Sequence, residues 1–86
     1  MLSDVVLVGT LQEIMPSGFR YLLIDCLDVL KNERKQARIP LLYWSKSKNN
    51  TLNAKRKGSK ALIKGRIEAD SNIGLFVLVE IIEIIK

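Results

Sequence analysis

The stretch KGSKALIKGRIE, residues 57–68, decides how the rest of the chain is read. From residue 60 its side chains alternate, so that Ala61, Ile63, Gly65 and Ile67 share one face while Leu62, Lys64 and Arg66 share the other. That period of two is a strand with its apolar side turned to a core. Gly58, just upstream, is the residue type that accepts the left-handed conformation ending a short helix. Gly65, inward on the strand, leaves room for the tight curvature of a barrel wall.

Upstream, residues 51–57 have length for at most two helical turns before Gly58, and residues 45–50 are polar and loop-like. Before them, Ala37, Ile39, Leu41 and Tyr43 fall on one face of a strand and Gln36, Arg38, Leu42 and Trp44 on the other, with Tyr43 directed into the core. Pro40 has no amide to give a ladder, which places this strand at an edge or a bulge. Residues 31–35 form a charged connection. Residues 19–29 alternate again: Leu22, Ile24 and Cys26 inward, Tyr21, Leu23, Asp25 and Leu27 outward. Pro16, Ser17 and Gly18 make a turn, and the β-branched run of residues 5–12 is the first strand. Downstream of a turn at residues 70–74, Glu80 and Glu83 would share a helix face, but the density of Val and Ile in residues 75–85 favours a strand. Five strands with one short helix between the third and fourth predict an all-β, five-stranded OB-fold barrel, a single domain over residues 1–86.

A chain of 86 residues supports one modest core, so self-association into a dimer or tetramer is expected, helped by the outward Leu23 and Leu27 and by the Val/Ile-rich terminal strands. One cysteine, Cys26, and no histidine leave neither a disulfide framework nor the usual metal ligands and general base. No enzyme, cofactor or metal is therefore expected. The first residues lack a basic segment before their apolar run, and the apolar run at residues 73–85 is too short and too charged to span a membrane. The reading is a soluble, cytoplasmic protein with no membrane partner. Residues 31–66 hold 12 of the 14 Lys and Arg and only one acid, Glu33. A block of that sign and density draws a phosphate backbone through counterion release.

Three segments carry a family resemblance that covers nearly the whole chain. KGSKALIKGRI (residues 57–67) resembles the helix-to-strand passage of the bacterial single-stranded DNA-binding proteins, with both glycines in place. VVLVGTL (residues 5–11) is similar to their first strand, and VEIIEII (residues 79–85) to their last. In length, in the PSG turn and in Pro40 the chain resembles the short primosomal replication protein N branch, and in size the small tail-less homologues of plastids and cyanobacteria. The resemblance implies single-stranded DNA binding in replication or repair, pairing of first strands between subunits, and a cytoplasmic or plastid-stromal setting. It departs in having five aromatics in all, Phe19, Tyr21, Tyr43, Trp44 and Phe76, with Gln36 at the third-strand position where the family often carries Trp. The sequence closes on its last strand, so an acidic recruiting tail is not expected.

These readings converge on a groove that binds single-stranded DNA, or RNA in its place, with little sequence preference and no catalysis. Arg38, Trp44, Lys64 and Arg66 are expected to share the outward face of adjacent middle strands. Arg34, Lys35, Lys46, Lys48, Lys55 and Arg56 flank them on loop and helix. Trp44 has a second reading as an oligomer-interface residue. A different class of function, an OB-fold scaffold whose basic face meets an acidic protein partner, fits the low aromatic content.

Overall fold

The alternation of small or branched apolar residues with polar ones is realised as five strands: β1 (Asp4–Ile14), β2 (Arg20–Asp28), β3 (Glu33–Tyr43), β4 (Lys60–Asp70) and β5 (Gly74–Ile84). The structure is a computed structural model that describes residues 4–45, 47 and 49–85. The strands close into a barrel in the order β1-β2-β3-β5-β4, antiparallel throughout except for β3 against β5. This is the five-stranded OB barrel that the strand count predicts.

The inward positions of the alternation fill the barrel. Leu11, Leu22, Leu41, Leu52, Ala61, Ile63, Val77 and Val79 form one buried cluster, with Val5, Leu7, Ile24, Ile39, Tyr43 and Ile82 packed around it. Tyr43 thus lies against the core, as its place in the alternation requires. Ile67 does not: it is 40% exposed, because β3 and β5 pair only at Leu41–Tyr43 and diverge below, leaving an apolar mouth lined by Val5, Leu7, Ile39, Ile67 and Leu75. Pro40 sits just before β3 gains β5 as its second neighbour, on a stretch where one edge carries no ladder to break.

Two expectations about local structure change. The charged residues 33–35 are strand, paired with Asp28, Leu27 and Cys26. The segment 51–57 is a run of turns and forms no helix. It contains one helix-type bond, Ala54 N–H to the Asn50 carbonyl at 3.1 Å, and a tighter turn from Lys55 N–H to Leu52 at 3.3 Å. The reason is long-range. The Arg20 guanidinium, from β2, takes the carbonyls of Leu52 at 2.8 Å and Lys55 at 2.7 Å, acceptors that a continuing helix would use itself. Gly58 does adopt the left-handed conformation, with φ of 89°, and its N–H bonds Leu11 of β1 at 2.8 Å, sewing the segment to the barrel.

Candidate nucleic-acid interface

The outer face of the β2–β3 ribbon is set by its register, in which Tyr21 opposes Pro40, Leu23 opposes Arg38, Asp25 opposes Gln36 and Leu27 opposes Arg34. Side chains in opposed and diagonal positions on one face touch. Here the diagonal pair is Arg38 and Tyr21, with the guanidinium carbon 5.7 Å from the ring centroid. That distance is within the range of a cation–π contact. Arg34 continues the same face about 13 Å farther along the strand. Beside the pair, Gln12, Glu13, Met15 and Lys57 complete a shallow concavity. Lys57 donates to Glu13 at 2.7 Å, and this contact holds the Glu13 carboxyl below its usual range.

The other aromatics divide by position. Phe19 and Phe76 meet edge to face at 5.1 Å and are both buried, so neither offers a free ring. Trp44, 57% exposed, stands at the end of β3 with its ring centroid 6.0 Å from that of Tyr43. It borders an open concavity of about 710 Å³ shared with Tyr43, Ser45, Asn49, Asn50, Thr51, Asn53 and Ala54.

The structure brings Arg34 and Arg38 onto one face and places Lys55 and Arg56 on the turn segment between β3 and β4. Lys35 lies on the opposite face of the ribbon, across from Cys26. The expected grouping of Lys64 and Arg66 with Arg38 does not occur. β4 is separated from β3 by β5 and from β2 by β1, so these two cations sit on another wall, opposite Val6 and Asp4 of β1. Arg66 is also ion-paired with Glu68 at 3.2 Å. Lys46 and Lys48 lie outside the described residues. Sequence reasoning passed over Tyr21 and Lys57: Tyr21 was already on the outward face, but only the β2–β3 register sets it under Arg38. Among the described residues, no three acidic or cysteine side chains gather as a metal site.

No protein-family model matches the sequence, and no curated protein matches it. Solved structures do. A small single-stranded DNA-binding protein from Streptomyces coelicolor superposes with a TM-score of 0.60 at 10% identity, covering 98% of this chain and 93% of that one. The N-terminal domain of PriB protein from Thermoanaerobacter tencongensis, described as dimeric, superposes with a TM-score of 0.52 at 15% identity, covering 98% of this chain and 97% of that one. At such identities the likeness is one of architecture: the chain has the OB fold of these proteins over almost its whole length.

Proposed function

We propose that the protein binds single-stranded DNA without catalysis, through the outer face of β2 and β3. The observation that carries this reading is the half-buried Tyr21 ring lying under the exposed Arg38, with Arg34 farther along the same face and Lys57, paired with Glu13, beside it. A ring offers a stacking surface to any base, and the cations follow the phosphates, so binding is sequence-tolerant and weakens with salt. The strands 2–3 face is also where OB folds generally take oligonucleotides. Lys55 and Arg56 extend the charge along the turn segment, whereas Lys64 and Arg66 have no part in this face. The two structural neighbours, a single-stranded DNA-binding protein and PriB, support the assignment.

Anisotropy of a labelled oligonucleotide across a salt series tests it. Tyr21→Ala should weaken binding by about 1–3 kcal/mol at every salt concentration, since it removes a stacking surface. Arg38→Ala should instead reduce the salt slope by about one unit. Binding that is flat with salt, or unaffected by both changes, would overturn the reading. A scaffold that meets an acidic protein would show the salt effect with no loss on Tyr21→Ala.

The reading includes self-association through the outer wall of β1 and β4. Val6 and Val8 are 62% and 46% exposed, beside Leu62 and near the 48% exposed Ile81 of β5, a largely apolar strip, with Lys64 standing between Val6 and Ile81, that a second copy would cover. PriB's dimeric structure is a precedent in the same fold. Light scattering should give at least a dimer, and Val8→Asp should give the monomer with the β2–β3 face still competent. A wild-type monomer would refute the strip's role.

A further inference from the structure

Backbone N–H and C=O groups point alternately to the two sides of a strand. For β3 their sense is set just past its upper end, where the Trp44 N–H donates to the Val79 carbonyl of β5 at 3.0 Å. The pairing of β3 runs without a bulge, so its even-numbered residues all turn their backbone groups toward the β5 side. β5 meets that side only at Leu41–Tyr43. Pro40 comes next and has no N–H to leave unpaired. Beyond it Arg38, Gln36 and Arg34 hold their N–H and C=O groups along an edge that pairs with no strand among the described residues. All three residues are exposed.

Two further features border the same edge. The mouth left where β3 and β5 diverge encloses about 320 Å³, with Ile39, Ile67 and Leu75 on its walls, and Leu75 is 70% exposed. The outward side chains of the edge itself include two cations, Arg34 and Arg38, the second with its guanidinium over Tyr21. Charge on an exposed edge keeps it from pairing with its own kind. A second copy of β3 would set arginines against arginines, so self-pairing is opposed while a strand of opposite sign is drawn in.

We propose that this edge takes an extended segment of another protein as an added strand, one in which acidic residues alternate with apolar ones. A strand laid along β3 turns successive side chains to opposite faces. One set enters the mouth against Ile39, Ile67 and Leu75, and the other stands beside Arg34 and Arg38, where a carboxylate is the complement. Main-chain bonds to Arg34, Gln36 and Arg38 supply affinity, and the alternation supplies selectivity. A nucleic-acid strand offers no row of amides and carbonyls. The segment is therefore a different occupant from the oligonucleotide of the β2–β3 face, although both call on Arg34 and Arg38.

The probe is a peptide of alternating glutamate and valine, matched in length to β3 from Glu33 to Pro40 and added to the full ¹⁵N-labelled chain. Saturation should slow amide exchange at Gln36 and Arg38 about tenfold, while Lys35 and Ala37, whose groups already face β2, stay unchanged. A peptide of the same composition with all its glutamates before its valines should bind about tenfold more weakly, and so should the alternating peptide N-methylated along its backbone, which cannot donate to a ladder. Leu75→Asp, at an exposed position, should weaken the alternating peptide about fivefold by spoiling the apolar mouth. The proposal falls if no peptide binds, if the block or N-methylated peptide binds as tightly as the alternating one, or if even- and odd-numbered amides of β3 respond alike. Oligonucleotide binding that persists in any of those cases leaves the single-strand reading standing.

Discussion

Arg20→Met should lower the free energy of unfolding by about 3 kcal/mol, measured as a shift in urea midpoint at unchanged slope. Arg20 is 2% exposed and has no carboxylate partner among the described residues. Burial holds its guanidinium below the ordinary arginine range, yet arginine stays charged at neutral pH. Its Nε donates to the Gln12 carbonyl at 2.8 Å, and one terminal nitrogen donates to the carbonyls of Leu52 and Lys55 at 2.8 and 2.7 Å. One side chain therefore ties β1, β2 and the turn segment together. Replacing a buried ion pair by an apolar group can be harmless when both partners go. Here the acceptors belong to the backbone and remain, so methionine leaves them without their donor. Arg20→Lys should recover little, because a single ammonium cannot reproduce the fork that reaches both β1 and the turn. A loss below about 1 kcal/mol for Arg20→Met would show the guanidinium to be dispensable.

The same residue connects stability to function. Leu52 and Lys55 bracket Asn53 and Ala54, and Arg56 follows directly, so the Arg20 bonds anchor the backbone from which Asn53, Lys55 and Arg56 project. Loosening the segment would blur both the Trp44 concavity and the cations beside it. The β2–β3 face, whose Arg38 and Tyr21 are held by ladder pairing, should be less affected.

The strands were legible because alternation needs only local information: inward Leu22, Leu41, Ala61 and Ile63 are all fully buried. Four features were not legible, each for a non-local reason. The turn segment reads as a short helix until Arg20, more than thirty residues away in sequence, claims its carbonyls. The cations Lys64 and Arg66 alternate outward just as Arg38 does, but alternation assigns a face without assigning neighbours. The barrel order sets β5 between β3 and β4. Tyr21 shows the converse: its outward direction was plain, while its partner followed only from the register that puts Leu23 opposite Arg38. Exposure of Ile67 likewise depends on β3 and β5 parting company, which no pattern within β4 records.

Gly65→Ala should cost about 3 kcal/mol, a large share of the roughly 5–10 kcal/mol available to a domain of this size. Gly65 faces inward where β4 crosses β5, and the ladder there shifts register: Lys64 pairs with Ile81 but Gly65 with Val79, leaving Glu80 as an extra residue in β5. The bulge drives the β5 backbone toward β4. A Cβ on Gly65 would run into the Leu78 carbonyl oxygen, with the Leu78 carbonyl carbon at 3.0 Å and Val77 Cγ1 at 3.2 Å. Two of these three atoms are backbone, which cannot rotate away, so relief requires the two strands to separate. Gly58 supplies the contrast. Its φ of 89° disfavours any side chain, but a Cβ there meets nothing within 4 Å, so Gly58→Ala should cost only about 1–2 kcal/mol of conformational strain. Urea unfolding of the two variants separates steric exclusion from backbone conformation. Equal losses would mean that the barrel relaxes around an alanine at residue 65, and that close approach of β4 and β5 is not what demands glycine in that strand.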